Sequence, residues 1–152
     1  MQVSYIPSGY HSVTAAINMP GAAAAVDWYK TAFNAVEKTM LMGPGGELSH
    51  GEIIIGDTII MIAEEHPDYN RSPKTLGGSS VVFVIYVPDA DATINRAVDN
   101  GAILIEGAAD QFYGDRRGRI EDPFGYKWMV SSHIKDVSDA AMQKMIDDMV
   151  QG

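Results

Sequence analysis

Residues 12–19 (SVTAAINM) read as a short strand and run into GAAAAVDWYKTAFNA, where Val26, Tyr29 and Phe33 recur at helical spacing. Residues 80–87 (SVVFVIYV) form a second run rich in β-branched residues, followed by PDADATINRAVDNGA, with Asp89 or Asp91 near its N-cap and Gly101 as a C-terminal stop. Three strand-like pieces follow each helix: VEKTMLM, SHGEIII and TIIMIA in the first half, AILIEG, GRIED and KWMVSS in the second. Both halves therefore read β-α-β-β-β. Val82 follows Thr14 by 68 positions (82 − 14), and Met129 follows Met61 by the same 68 (129 − 61). A constant offset across two elements is the mark of an internal duplication, which confines the chain to paired copies of one unit.

This predicts an α+β fold in which two βαβββ modules form a curled mixed sheet with a central cleft, plus a C-terminal helix. The single domain of residues 1–152 divides into a first module at 11–66, a second at 79–134 and a helix at 138–150. The stretch EEHPDYNRSPKTLGG between the modules is polar, with two prolines and a Gly-Gly pair, and reads as an exposed linker. In the tail, Met142, Met145, Ile146 and Met149 share one helical face behind Ser138 as cap, so the helix is expected to pack on the body or on a partner subunit.

Eleven basic residues against twenty acidic ones give a formal charge of −9, which argues against nucleic acid as a partner. The one basic cluster, Arg116-Arg117-x-Arg119, is cancelled in sequence by Asp115, Glu121 and Asp122. No apolar run is long enough for a membrane, and MQVSYIPSGYH has no basic-then-apolar leader, so neither membrane nor secretion is expected. The absence of cysteine removes thiolate metal sites and fits a reducing, cytoplasmic setting. No G-x-S-x-G is present, and GPGG lacks the Lys and helix of a phosphate loop.

Paired modules ending in DPFGYKW resemble the glyoxalase/bleomycin-resistance/extradiol-dioxygenase (vicinal oxygen chelate) superfamily. AVDWYKTAFNA, SHGEIIIGDTIIMIAEE and FYGDRRGRIEDPFGYKWMVSSHIKDVS are similar to its PhnB-like branch, and the resemblance spans residues 11 to 137. It implies a homodimer and, in metal-bearing members, one ligand on the first and one on the fourth strand of each module. Carried over, those positions fall on Thr14, Met61, Val82 and Met129. Thioethers suit only soft ions and Val82 has no lone pair, so neither metal nor cofactor is assigned.

His50 and Glu52, two apart on a strand, share a face that looks away from Gly51, Ile53 and Ile55. Arg119 and Glu121 hold the related strand of the second module. Two readings stay open: an acid–base or ligand-orienting set, or a polar network that satisfies buried charge. Tyr113, in a loop beside Phe112, can cover a ligand or merely pack. If Met129 faces the cleft, Trp128 belongs to the core. Pro7 would suit a hinge carrying the N-terminus to another subunit; His11 reads as a strand-entry residue, and His66 and His133 as solvated.

These readings converge on a small organic ligand held by Thr14, His50, Glu52, Met61, Val82, Tyr86, Tyr113, Arg119 and Met129. The leading expectation is a metal-independent small-molecule-binding protein, extended by the resemblance to sequestering a cationic or aromatic ligand. The alternative is a metal-dependent lyase, isomerase or dioxygenase with its metal relocated to His50 and Glu52. A third is an assembly scaffold.

Overall fold

The computed structural model describes residues 3–151. Contacts divide the chain into two compact units, Met1–Ser79 and Ser80–Gly152. The first holds β1 (Ala16–Met19), α1 (Ala22–Phe33), β2 (Val36–Met42), β3 (Leu48–Ile55), β4 (Thr58–Glu64) and α2 (Pro73–Leu76). The second holds β5 (Val82–Tyr86), α3 (Ala90–Asp99), β6 (Ile103–Asp110), β7 (Asp115–Glu121), β8 (Lys127–His133) and α4 (Asp139–Gln151). The α+β fold and both βαβββ modules stand as predicted, but the strands form two four-stranded mixed sheets, one per module. Their orders are β1-β4-β3-β2 and β5-β8-β7-β6, with the first and last strand of each module parallel.

Each sheet buries one face under its helix. The apolar stripe of α1, Val26, Tyr29 and Phe33, is at most 5% exposed, against Ile17, Ile53 and Ile62 of the strands. At Gly51 on β3 a Cβ would stand 2.9 Å from Leu48 Cδ2 and 3.0 Å from Ile62 of β4. On α3, Ile94 and Ala97 are buried, and a Cβ on Gly118 would stand 2.6 Å from Ile94 Cδ1. Gly118 lets α3 approach its sheet closely, and Gly51 makes room for the strand side chains of Leu48 and Ile62.

The 68-residue offset extends to the helix starts. Gly21 brings no side chain to cap α1, and Glu64 from the end of β4 does so instead, accepting from Gly21 N at 2.9 Å and Ala22 N at 3.1 Å. Ser132, at 64 + 68, takes the N–H of Ala90 at 2.9 Å, while Asp89 accepts from Ala92 N. A carboxylate at a helix N-terminus meets both orphan N–H groups and the helix dipole.

Four expectations change. β1 begins at Ala16, leaving Thr14 in the segment that enters it. The polar stretch between the modules contains α2, started by Ser72, whose hydroxyl accepts from Thr75 N, with Pro73 in the first turn. β7 is longer than GRIED because Arg116 and Arg117 belong to it; their partners are not the flanking acids but Asp91 and Asp110 for Arg116 and Glu106 for Arg117. α4 forms on its Ser138 cap but fully buries none of its residues, so most of its methionine face is left uncovered by the body.

Candidate functional site

In the first sheet Glu52 on β3 lies opposite Met61 on β4, and Met61 opposite Ala16 on β1. Strand alternation puts these on the face away from α1. On β2 the register slips between Glu37 and Thr39, so Lys38 and Thr39 together oppose Glu52. This bulge turns Lys38, which simple alternation would send elsewhere, onto the Glu52 carboxylate.

Lys38 Nζ donates to Glu52 Oε2, Thr39 Oγ1 reaches the same oxygen at 3.4 Å, and His50 Nε2 stands 3.1 Å from Oε1. Tyr10 completes the set: Lys38 lies 5.0 Å from its ring centroid and 3.5 Å from its hydroxyl. The Lys38 ammonium, then the Tyr10 hydroxyl and His50, hold the Glu52 carboxyl down at about 2 despite its burial. The same carboxylate raises both Lys38 and Tyr10, so ammonium and phenol persist at neutral pH.

Tyr10 arrives on the N-terminal segment, which folds over this open face. A turn closes it, with Tyr10 N on Pro7 O at 3.1 Å, and Gly9 (φ +83°) lies against Ile59. Pro7 thus opens the turn that brings Tyr10 back over the sheet of its own module. Between segment and sheet is a cavity of about 650 Å³. Tyr5, Ile6, Pro7 and Tyr10 give it an apolar and aromatic wall; His11, Ser12 and Thr14 add polar groups; Lys38, Glu52 and Met61 form its floor.

The structure therefore brings Thr14, Glu52 and Met61 together, with His50 supporting Glu52 from outside the cavity lining. It adds Tyr10, Lys38 and His11, which the sequence reading left out. Tyr10 lies outside every periodic element and Lys38 depends on the bulge. His11, read as a strand-entry residue, is exposed yet lines the cavity.

The other candidates share the open face of the second sheet. Met129 pairs with Val84 on β5 and Arg119 on β7, while Val82 and Tyr86 flank Val84. Val82, Val84 and Tyr86 are 42–63% exposed. Arg117 and Arg119 share Glu106, each at 3.4 Å, and Arg117 also donates to the Tyr113 hydroxyl. Tyr86 donates to the buried Asp115 at 2.9 Å. His133, read as solvated, is half-exposed but bonded to Asp115 at 2.8 Å and Asp136 at 2.9 Å, which raise its pKa. His66 stacks on Tyr69 with centroids 4.1 Å apart. Trp128 is core, 3% exposed, its indole N–H on Asp122 at 2.9 Å.

A divalent ion requires converging carboxylate or imidazole donors. The ladder positions facing Met61 and Met129 are Ala16 and Val84, which offer none. Among the described residues no group of three or more His, Asp or Glu is arranged to hold a metal. At Glu52, the place a cation would take is held by the Lys38 ammonium. This donor set does not fit a resident metal.

The family model for the Glyoxalase/Bleomycin resistance protein/Dioxygenase superfamily matches residues 11–130. The chain belongs to this superfamily. An uncharacterized protein of Mycobacterium bovis is 33% identical over 135 residues, covering 86% of this chain and 89% of its own. An Arabidopsis thaliana gene product of known crystal structure superposes with a TM-score of 0.65 at 25% identity, over 80% of this chain and 98% of its own. A PhnB protein from Bacillus cereus has the same fold, with a TM-score of 0.63 at 11% identity over 80% and 99%.

Proposed function

We propose that this superfamily member binds a small organic molecule in the first-module cavity, without a resident metal. The observation that carries this reading is the cavity itself, about 650 Å³, with an apolar wall and a few converging polar groups. The Lys38–Glu52 pair supports metal independence, since it neutralises the one buried carboxylate there. The exposed faces of α4 (Met145, Ile146, Met149) and β5 (Val82, Val84, Tyr86) support a homodimer. No described helix is long and apolar enough to cross a membrane, and the absence of cysteine fits the cytoplasm.

One observation favours a second reading: His50 beside Glu52 offers two ligand types at 3.1 Å, the beginning of a relocated metal site for a lyase, isomerase or dioxygenase. A thermal-shift titration of chelator-stripped protein with nickel, zinc, manganese, iron(II) and copper(I) separates the two. An ion at a hundred times its dissociation constant would stabilise by about 2.7 kcal/mol, a shift of several degrees. We expect no shift. A shift abolished by His50→Ala establishes the second reading instead.

A further inference from the structure

The reading above leaves the ligand's charge open, and the polar groups of the cavity decide it. Glu52 is 9% exposed and its oxygens are taken by Lys38, Thr39 and His50, with the Tyr10 hydroxyl beside them. An ionised carboxylate has about four acceptor sites, so Glu52 has little left to offer a ligand. A cationic ligand would have to expel the Lys38 ammonium from the place it already fills.

The donors are in the opposite condition. An ammonium carries three N–H bonds, and Lys38 directs two of them, to Glu52 and to the Tyr10 oxygen. The third is uncommitted on a side chain that is 34% exposed and lines the cavity. Ser12, Thr14 and His11 line the same space, and none makes a hydrogen bond among the described residues. The cavity thus presents unused donors around a fixed positive charge, against a wall of Ile6, Pro7, Tyr10 and Met61. The overall charge of −9 does not reverse this, because charges beyond about 8 Å are largely screened at physiological salt.

We propose that the cavity selects a small planar organic anion, its carboxylate or enolate oxygen on Lys38 Nζ and the Ser12 and Thr14 hydroxyls, its apolar body on the wall. Glu52 then competes with the ligand for the Lys38 ammonium. Of the cationic or aromatic ligand expected from sequence, this proposal keeps the aromatic body and reverses the charge.

Benzoate, benzyl alcohol and benzylamine form a test series of one shape and three charges, titrated at millimolar concentrations into the isotope-labelled full chain while amide signals of residues 5–14 are followed. We expect benzoate to bind about tenfold tighter than benzylamine, as suits a charge-assisted hydrogen bond. Lys38→Met should abolish that preference while benzyl alcohol still binds, and Lys38→Arg should restore it. Glu52→Gln, by releasing Lys38, should tighten benzoate further. Benzylamine binding as well as benzoate, or a benzoate preference that survives Lys38→Met, overturns the anion assignment alone. If none of the three probes moves residues 5–14, the binding cavity itself is overturned.

Discussion

Gly51-Glu52 in the first module and Gly118-Arg119 in the second occupy the same ladder position, each glycine in close contact with an isoleucine and each charged residue opposite a methionine, Met61 or Met129. Below the sheet the copies agree: an isoleucine of the sheet or the helix, Ile62 or Ile94, closes on the glycine, and a strand-end side chain, Glu64 or Ser132, caps the helix. Above it they diverge. The first face carries a neutralised acid under the N-terminal segment; the second carries two arginines sharing Glu106 beside exposed Val82, Val84 and Tyr86. Helix–sheet packing tolerates few alternatives, because interiors are dense and a single methyl is felt there. The open face answers to what covers it, so it is where two copies of one unit can take different work.

The hairpin turns give the sharpest contrast. Between β7 and β8, Asp122 is 1% exposed and accepts from Phe124 N, Tyr126 N and Trp128 Nε1, each at 2.9 Å. Between β3 and β4, Asp57 is exposed and its carboxylate meets, among the described residues, only Thr58 Oγ1. Asp122→Ala strands three donors, two of them on buried residues, and should cost about 3–5 kcal/mol, whereas Asp57→Ala should cost less than about 0.5 kcal/mol. Urea unfolding checks this with the indole N–H signals of Trp28 and Trp128, one in each module. Equal losses would show that the turns are not the asymmetric elements described here.

A smaller effect is expected at the paired glycines. At Gly118 an added Cβ meets backbone, Glu106 O at 2.7 Å and Ala108 N at 3.0 Å, as well as Ile94 Cδ1. At Gly51 its nearest contact is the Leu48 side chain at 2.9 Å, with Ile62 O at 3.0 Å. Backbone yields less than a side-chain tip, so Gly118→Ala should cost about 2–3 kcal/mol and Gly51→Ala about 1 kcal/mol, read from urea midpoints. The reverse order would mean that the first module, not the second, is the tighter packing.

The agreement between copies is also what the sequence made legible. Val26, Tyr29 and Phe33 announced α1, and DPFG announced the Asp122 turn, because helix periodicity and turn chemistry act over a few residues. The 68-residue spacing was visible for the same reason, and it holds for Ala16–Val84 as well as for Met61–Met129. The site was half legible. Alternation placed Glu52 and Met61 on one face, but the bulge that delivers Lys38 is a register slip against β3, which residues 36–42 alone do not encode. Tyr10 belongs to no periodic run, and its role comes from a segment folding across a sheet that is formed later in the chain. The ion pairs of Arg116 were misassigned to sequence neighbours because strand β7 carries its side chains across to α3 and β6. The tail's methionine spacing gave the helix correctly, but periodicity cannot say what an apolar face meets.

The last contrast lies in pH, and it has opposite signs in the two modules, with the smallest expected effect at His133. Glu52 is lowered from the usual carboxylate value to about 2 by Lys38, Tyr10 and His50. Its contribution to first-module stability is fully present above about 4.5 and is lost as pH falls toward 2. His133 is raised by Asp115 and then Asp136. The stability it lends the second module is full below about 6.5, the unfolded-state value, and is lost as pH rises through its raised folded value. Because His133 is half-exposed and screened by solvent, this loss should be slight. Urea midpoints read at the two indole signals from acid to mildly alkaline pH should therefore show Trp28 weakening only at the acid end and Trp128 declining gently above neutrality. His133→Gln should flatten the second profile and leave the first untouched. A Trp128 profile that keeps its slope in that variant would place the alkaline titration in some group other than the Asp115–His133–Asp136 cluster.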